Sequence, residues 1–325
     1  MSSSKPTASS LASLYTPYIK NKVILTTGVS PSGLGAVFLH AIVQACPSHL
    51  ILAGRNTSKV QETARALASE IPDPDLKIRI LELDLSSLAA VRAAAETVNS
   101  WPDVPAIDVL VNNAGIMAVD FALSVDGFES QFATNHLGPW LFTNLIMGKI
   151  LSAAEPRIVM VSSDGHRLGP VRFWDYNFEK GTYNRWQAYG QTKTANMLMA
   201  ISLAEKLGPK GLLSFSLHPG VINTHLGDHI DWNVHFPTLL EVHRYYGHPQ
   251  GWMTEFDFRT PEEGSATHVY AAFDPDLKSH NGAFLEDCHV ANPLTDDIKA
   301  WATSPVEAEK LWRLSEELVG QVFTY

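Results

Sequence analysis

Tyr189 and Lys193 are the residues of this chain whose types and spacing most directly suggest a reaction. They stand four apart in the stretch AYGQTKTAN, within a segment of helical periodicity, so their side chains share one helix face. A tyrosine with a reference pKa of about 10 exchanges protons near neutrality only when about 4 kcal/mol favours its phenolate, and a neighbouring ammonium contributes to that. Such pairs are frequent by chance, and a half-buried tyrosine beside a solvated lysine is the alternative.

A glycine-rich stretch, TTGVSPSGLG at 26–35, is a candidate phosphate-binding loop. It lies between an apolar run at 22–27 and a helical segment at 33–46. Backbone N–H groups and the helix dipole at such a junction favour an anion. A tight turn without a ligand is the alternative, because a glycine-rich loop alone is a weak signal.

The elements that would position these residues alternate along the chain. Apolar runs of strand length lie at 22–27, 50–54, 77–83, 107–113, 157–163 and 212–219, with a short run at 282–287; helical segments include 33–46, 58–69, 88–100, 128–151, 187–207 and 305–322. Near-continuous apolar character is typical of strands covered on both faces. The pattern predicts an α/β fold, a single-domain Rossmann-type doubly wound parallel sheet of about seven strands with helices on both faces.

The length and composition are compatible with one domain over 21–325, because 325 residues with 45% apolar content can bury one large core. We expect residues 1–20 to form an N-terminal tail. Ser2 to Ser4 with Ser9 and Ser10 are typical of a polar tail, and SLASLYTPYIKN is compatible with a short helix packed beneath the domain.

The charge and the termini exclude several classes of partner. The formal net charge is −10 and there is no lysine or arginine run, which argues against nucleic acid and anionic membranes and favours small-molecule partners. The N-terminus has neither the apolar region of a signal peptide nor about 18 consecutive apolar residues for a membrane span. We therefore expect no membrane span and a cytoplasmic protein, with Cys46 and Cys288 reduced.

Several further motifs occur in one order along the chain. They are Thr27-Gly28 with Gly33 and Gly35, Asp84 in LDLSS, NNAG at 112–115, Asn135 in ATNHLG, VSS at 161–163, Tyr189 with Lys193, and PGVINT at 219–224. From about residue 22 to 290 the chain resembles the short-chain dehydrogenase/reductase superfamily. Within it, NHLGPWLFTNLI and RIVMVSSDGHRLG are similar to the retinol-dehydrogenase-like and WW-domain-oxidoreductase-like branch. We expect this protein to lack the membrane anchor and the WW domains of relatives in that branch.

The resemblance implies catalytic roles for Asn135, Ser163, Tyr189 and Lys193. Tyr189 would give a proton to a carbonyl oxygen that Ser163 holds, as hydride arrives at carbon. Lys193 and the oxidised nicotinamide would lower the pKa of Tyr189, and Asn135 would order a water that links Lys193 to solvent. Asn135 as a polar residue that kinks the helix is the alternative. Ser162 and Ser163 point to opposite faces of a strand, and the family pattern favours the second serine.

The resemblance also implies a cofactor site. Its residues are Gly28, Ser30, Ser32, Gly33, Leu34, Gly35, Arg55, Asn56, Asp84, Leu85, Asn113, Ala114, Gly115, Tyr189, Lys193, Pro219, Gly220, Ile222 and Thr224. Asp84 would contact the adenine, 113–115 would wall the adenosine ribose, and Ile222 and Thr224 would meet the nicotinamide amide. A helix N-cap is the alternative for Asp84. The family has three residues between its first two glycines where this chain has four, so we expect Pro31 to bulge outward and the loop serines to bond phosphate.

The second strand ends in Gly54-Arg55-Asn56, where an NAD-specific fold usually has an acidic residue for the ribose 2′-hydroxyl. Arg55 would instead pair with a 2′-phosphate, with Lys59 adding charge one turn on. The sequence therefore predicts NADP(H). A surface arginine at a strand end is the alternative.

The substrate side is rich in aromatic residues. They are Phe173, Trp174, Tyr176, Phe178, Tyr183 and Trp186 before Tyr189, and Trp232, Phe236, Tyr245, Tyr246, Trp252 and Phe256 in the segment at about 221–258 that corresponds to the family's substrate lid. They favour a bulky apolar or aromatic ketone or alcohol, although loop packing alone explains most of them equally well. Lid histidines His225, His229, His235, His243 and His248 lack metal-site spacing, so no metal is predicted.

The sequence thus predicts an NADP(H)-dependent oxidoreductase that interconverts a ketone or aldehyde and an alcohol, as a monomer or homodimer. A non-catalytic dinucleotide-binding sensor or scaffold with the same fold is the alternative. An epimerase or isomerase that uses the same tyrosine is a third possibility, because fold alone does not choose among them.

Overall fold

The computed structural model describes residues 5–71, 75–248 and 257–325. The strands are β1 Val23–Thr27, β2 His49–Gly54, β3 Lys77–Glu82, β4 Val109–Asn112, β5 Arg157–Val161, β6 Leu213–His218, β7 Val221–Ile222, β8 Phe258–Arg259, β9 Phe284–Glu286 and β10 His289–Val290. The central element is an eight-stranded sheet in the order β3-β2-β1-β4-β5-β6-β9-β10, with β7 and β8 forming a separate pair. All pairs in the large sheet are parallel except β9 with β10.

Helices cover both faces of the sheet, as predicted. They are α1 Ala8–Leu14, α2 Thr16–Ile19, α3 Leu34–Val43, α4 Thr57–Ala68, α5 Leu88–Ser100, α6 Ser130–Phe132, α7 Gly138–Leu145, α8 Met147–Leu151, α9 Arg185–Leu207, α10 Trp232–Tyr245, α11 Pro261–Phe273 and α12 Pro305–Val319. Successive strand residues point to opposite faces, so Leu110 of β4 packs with α5, α7, α9 and α12, whereas Val109 and Val111 pack with α1, α3 and α11. The doubly wound parallel fold is confirmed.

The eighth strand was not predicted. Glu286 pairs with His289, so Asp287 and Cys288 form a two-residue hairpin turn, and both have positive φ, 45° and 57°. Type I′ turns need that conformation and usually contain Asn-Gly or Asp-Gly, so this turn carries no familiar sequence signal.

The predicted helix at 128–151 is interrupted in the structure. Between α6 and α7 the residues Ala133–Leu137 form a π-helical turn, and α8 follows as a separate short helix. A Cβ atom at Gly138 would lie 2.2 Å from the Leu85 carbonyl oxygen, so the start of α7 packs directly on the backbone after β3.

The N-terminal region contributes to the core. Ser9 and Ser10, which the sequence placed in a polar tail, lie in α1 instead, whose Ala8 and Ala12 are buried. Thr7 caps this helix, and Ile19 of α2 is fully buried. Residues 2–4 lie outside the described residues. No helix in the described part of the chain combines the length and the apolar character needed to cross a membrane.

Candidate active site

Tyr189 and Ser163 meet at the carboxyl end of the sheet. Tyr189 lies on α9 and is buried, and Ser163 follows β5 with its hydroxyl facing the tyrosine. Ser163 Oγ also accepts a bond from the Gly165 backbone N–H at 3.0 Å. A Cβ atom at Gly165 would lie 2.6 Å from Tyr189 Cε1, so the ring fits there only against a glycine.

The two adjacent serines have different positions. Ser162 Oγ is buried and donates to the Lys193 carbonyl oxygen at 2.7 Å, which ties β5 to α9. Ser163 faces Tyr189. The structure therefore brings the second serine, and not the first, to the tyrosine, as the strand alternation requires.

Lys193 lies one turn after Tyr189 on α9, and both are enclosed. Its Nζ donates to the Val161 carbonyl oxygen at 3.0 Å and lies 5.4 Å from the centroid of the Tyr189 ring. Burial lowers the pKa of Lys193 to about 8 and raises the pKa of Tyr189 to about 12, and the nearby Ser163 hydroxyl partly opposes the second shift. At pH 7 the site thus holds a protonated phenol beside an ammonium.

Asn135 lies in the π-helical turn between α6 and α7. Its Oδ1 accepts from the Ile116 N–H at 2.8 Å, and its Nδ2 donates to the Ile116 carbonyl at 2.8 Å and to Thr192 Oγ1 at 3.1 Å. A Cβ atom at Gly115 would meet both Asn135 Oδ1 and Lys193 Nζ, at 3.2 and 3.7 Å. One lone pair of Oδ1 on that side is available to the water that the sequence analysis assigned to Asn135. π-helical turns are frequent at functional sites.

Thr192 was missed by the sequence analysis. It is fully buried, donates through Oγ1 to the Tyr189 carbonyl oxygen at 2.8 Å, and accepts from Asn135 Nδ2. It therefore connects the π-helical turn to α9. Only its position three residues after Tyr189 is visible in the sequence, and a helical threonine is unremarkable there.

The glycine-rich loop accommodates its extra residue as a tight turn. The Gly33 N–H donates to the Ser30 carbonyl at 3.0 Å, so Pro31 and Ser32 form the corner, with Ser32 at φ 63°. Proline at the first corner and a positive φ at the second are typical of a type II turn. Ser30 and Ser32 are exposed on this turn. Gly28 has φ 72°, and its Cβ would lie 2.6 Å from the Ala114 backbone.

Helix α3 begins in this loop without a side-chain cap. Side chains cap most other long helices, namely Asn56 on α4, Ser87 on α5, Asn184 on α9, Thr260 on α11 and Ser304 on α12. At α3 the N-cap is Gly33, and no side chain among the described residues caps the N–H groups of Leu34 and Gly35. An uncapped helix N-terminus after a glycine-rich turn fits a phosphate group.

The comparisons with known proteins agree with this geometry. A family model for short chain dehydrogenase matches residues 22–233, which is more than half of the chain. The chain belongs to the short-chain dehydrogenase/reductase superfamily. It is therefore an oxidoreductase of a family that binds a nicotinamide dinucleotide.

Individual relatives place this short-chain dehydrogenase in the retinol-dehydrogenase-like branch. Retinol dehydrogenase 14 from Mus musculus is 35% identical over 307 residues, which span 92% of this chain and 86% of that protein. Short-chain dehydrogenase TIC 32 B, chloroplastic, from Brassica napus is 35% identical over 308 residues, with 92% and 88% covered. A crystal structure of an uncharacterized protein from Mycobacterium paratuberculosis has a TM-score of 0.72 at 29% identity, with 99% and 100% covered.

Asn113 of the family's NNAG segment lies beneath the glycine-rich loop. Its Nδ2 donates to the Thr27 and Gly28 carbonyl oxygens at 2.9 and 3.0 Å. The N–H groups of Asn113 and Ala114 both donate to Thr27 Oγ1. The Asn113 amide is therefore engaged under the loop, and the ribose wall at 113–115 stays a prediction.

Arg55 is exposed at the carboxyl end of β2, with no ion pair or hydrogen bond to the described residues, and the same holds for the Lys59 side chain. Asn56 caps α4 by accepting from the Lys59 N–H at 3.1 Å, so its side chain is already engaged. Arg55 and Lys59 are thus two exposed cations without a partner among the described residues, and a dianionic 2′-phosphate would fit them.

Asp84 does not cap a helix. Its Oδ1 accepts from the Ser86 N–H and hydroxyl, at 2.9 and 2.6 Å, and the N-cap of α5 is Ser87. The alternative that Asp84 is a helix N-cap is therefore wrong. The neighbouring Leu85 is buried, with its carbonyl against Gly138.

The segment after β6 forms one wall of the site. Gly220 has φ 89°, with Arg259 packed against it, and Ile222 packs on Gly264, where a Cβ would lie only 2.6 Å away. Thr224 accepts from the Leu226 N–H at 3.4 Å and caps a short 3-10 turn. Strand β7 pairs with β8, which joins the start of the lid to its end.

The lid helix α10 packs directly over Tyr189. A lid cluster consists of Ala118, Leu168, Trp186, Tyr189, Ile230, Leu239 and Val242, with Met117, Phe236 and Tyr246 at its edge. Trp186 Nε1 donates to the His235 carbonyl and to Thr238 Oγ1, both at 3.1 Å, and so ties α9 to α10. The predicted lid residues 249–256, with Trp252 and Phe256, lie outside the described residues.

The remaining aromatic residues divide between packing and exposure. Phe173 and Tyr176 pack against the main core, as the loop-packing alternative states, whereas Trp174 is 65% exposed and Tyr245 77% exposed. Trp232 is partly exposed and lies near Trp186, with ring centroids 5.9 Å apart. Residues from the lid and from outside it therefore share the apolar surroundings of Tyr189.

Two lid histidines lie beside a carboxylate. The rings of His243 and His248 stack at 3.9 Å, and one atom each of these two and Asp297 lie within 4.8 Å of one another. Asp297 also pairs with Lys299 at 2.8 Å and Arg167 at 3.1 Å. These cations neutralise the carboxylate and disfavour a metal ion there.

Proposed function

We propose that the chain is an NADP(H)-dependent oxidoreductase that interconverts a ketone or aldehyde and an alcohol on a bulky, apolar or aromatic small molecule, with Tyr189 as acid and base. The observation that carries this proposal is the contact of Ser163 with Tyr189, with Lys193 one turn away, in a buried site beneath the apolar lid cluster. A sensor with the same fold does not need a buried tyrosine and lysine together.

In the proposed mechanism, side chains of the protein transfer a proton to and from the substrate oxygen. The bound nicotinamide supplies or accepts the hydride. The Tyr189 phenol is protonated at neutral pH, because burial raises its pKa to about 12, and it is therefore in the form that donates to a carbonyl oxygen. Ser163 holds both that oxygen and the tyrosine, and the Lys193 ammonium stabilises the phenolate left behind. A water on Asn135 returns the proton by way of Lys193.

We infer a preference for NADP(H) from two exposed cations, Arg55 after β2 and Lys59 on α4. Wild-type protein should bind NADPH at least tenfold tighter than NADH, a difference of about 1.4 kcal/mol or more. Arg55→Asp should remove the preference, because its carboxylate repels a 2′-phosphate and accepts from a 2′-hydroxyl. Fluorescence titration with both cofactors measures it.

Arg65→Asp is the matched control for this experiment, because Arg65 is exposed on the same helix as Lys59 but in its last turn. It should keep the wild-type preference. Equal affinities of wild type for the two cofactors, or an unchanged preference in Arg55→Asp, contradict the NADP(H) proposal.

The apolar lid cluster supports the proposed substrate class, and Trp186 tests it. Trp186→Phe keeps most of the ring packing but removes the donor to His235 and Thr238 on α10. Losing these bonds, each worth about 0.5–1.5 kcal/mol, should raise KM for an accepted apolar ketone about five- to tenfold. The cofactor Kd should change by less than about twofold.

Trp312→Phe controls for the substitution itself. Its Nε1 bonds Glu316 within α12, remote from the lid, so KM should not change. An unchanged KM in Trp186→Phe would show that the lid position does not govern substrate binding.

A screen of ketones and alcohols at 340 nm, with each nicotinamide cofactor, tests the reaction itself. Activity should favour bulky apolar carbonyl compounds over small polar ones and NADPH over NADH. Binding of NADPH without turnover of any carbonyl or alcohol would favour the sensor. The cytoplasmic location and the monomeric or homodimeric state stay predictions, which cell fractionation and light scattering can test.

A further inference from the structure

Helix α11 contacts the candidate cofactor site at several points along its first turns. A Cβ atom at Gly264 would lie 2.6 Å from Ile222 Cγ1 and 3.4 Å from the Pro219 carbonyl oxygen. The next residue, Ser265, donates to the Leu34 carbonyl oxygen at 3.2 Å. Because Leu34 opens α3, one end of α11 touches both the segment after β6 and the helix that begins in the glycine-rich loop.

His268 adds a third contact one turn after Gly264. It is fully buried, and its Nε2 lies 3.3 Å from Asn113 Oδ1. Both hydrogens of the Asn113 amide face the Thr27 and Gly28 carbonyl oxygens, so Oδ1 faces His268 and requires a donor there. Nε2 is therefore the nitrogen that carries the ring proton.

The imidazole is neutral at physiological pH. Burial lowers the pKa of His268 to about 4, and a hydrogen bond with the Gly264 backbone raises it in part. A neutral ring with its proton on Nε2 donates one bond to Asn113 and brings no charge into the core. The contact is thus available over the whole pH range in which the enzyme would be assayed.

The Asn113 amide fills the space directly beneath the glycine-rich loop. A Cβ atom at Gly35 would lie 2.6 Å from Asn113 Nδ2 and 2.8 Å from the Gly28 carbonyl oxygen. Rotation of the amide would therefore release the Thr27 and Gly28 carbonyls and push on α3. The hydrogen bond from His268 is what fixes the amide from the opposite side.

We propose that His268 is a positioning residue for the cofactor, acting through Asn113 on the glycine-rich loop. The proposal rests on the proposed function in that this loop is taken to hold the phosphates of the dinucleotide. Helix α11 directly follows β8, which pairs with β7, so the same helix connects the ends of the lid to the loop.

Substitution of His268 separates cofactor binding from turnover. His268→Leu leaves Asn113 Oδ1 buried without its donor, and the Kd for NADPH should rise about tenfold. Turnover at saturating NADPH and ketone should stay within about twofold, because no catalytic residue is touched. His268→Gln, whose amide can donate at a similar distance, should return the Kd to within about threefold of wild type.

Val269→Ala is the matched control for lost stability. Val269 is fully buried on the same helix, so this variant should lower the melting temperature while leaving the Kd for NADPH unchanged. In an Asn113→Ala background, His268→Leu should weaken binding by less than about twofold more. An equal loss of affinity in Val269→Ala, or an undiminished effect of His268→Leu in that background, would overturn the proposal.

Hydrogen exchange of the cofactor-free protein tests the positioning independently of the proposed function. Amides of 27–35 should exchange several-fold faster in His268→Leu than in wild type, and at the wild-type rate in Val269→Ala. Unchanged exchange in His268→Leu overturns the role of His268. If the wild-type protein binds neither nicotinamide cofactor, the proposed function is wrong. The exchange rates still decide in that case whether His268 positions the loop.

Discussion

Replacement of Tyr189 by phenylalanine is expected to lower turnover of an accepted ketone by about 10²- to 10⁴-fold, the range for loss of a general acid. The ring packing against Gly165 and the lid cluster survives, and only the oxygen that faces Ser163 is removed. The Kd for NADPH should stay within about twofold. Steady-state rates beside fluorescence titration of the cofactor give both quantities.

Tyr176→Phe is the matched control for the loss of a phenol oxygen. Tyr176 packs on Phe132 in the main core, with ring centroids 5.7 Å apart, and its hydroxyl has no hydrogen bond to the described residues. The control should keep wild-type turnover. If Tyr189→Phe retained most of its activity, the proton would come from another group and the assigned mechanism would be wrong.

The sequence predicted the sheet well because its central strands are buried on both faces. Runs such as RIVMV in β5 are apolar at nearly every position, and this pattern does not depend on distant contacts. The break at Ala133–Leu137 was not predictable in the same way, since the apolar pattern continues through 128–151. The interruption accompanies the packing of Gly138 on Leu85, a contact between residues far apart in the chain.

The site residues were recognised as motifs, but their contacts depend on tertiary structure. The spacing of Tyr189 and Lys193 already placed them on one helix face. The motif that contains Asn113 says nothing about where its amide points, which is beneath the glycine-rich loop. Its partner His268 is 155 residues away and belongs to no local motif, so only the tertiary packing of α11 brings the two together.

Replacement of Lys193 by methionine is expected to impair both chemistry and binding. Methionine fills a similar volume but removes the ammonium that lies 5.4 Å from the Tyr189 ring centroid. The Val161 carbonyl loses one of its two donors and keeps Asn196 Nδ2 at 3.2 Å. Turnover should fall about 10²- to 10³-fold, because the phenolate loses its stabilising charge. We expect the Lys193 ammonium to bond the nicotinamide ribose as well, so the Kd for NADPH should rise about tenfold.

Lys206→Met makes the same change in the last turn of α9, where Lys206 pairs with Glu309, and it should leave both turnover and the Kd for NADPH unchanged.

The pH dependence of wild-type ketone reduction gives a second test of Lys193. The pKa of Lys193 is lowered to about 8 by burial, so its charge is present below that pH and is lost as the pH rises through it. Ketone reduction should therefore decline above about pH 8. A rate that stays level to pH 10, or a Lys193→Met variant with wild-type turnover, would show that the ammonium does not assist Tyr189.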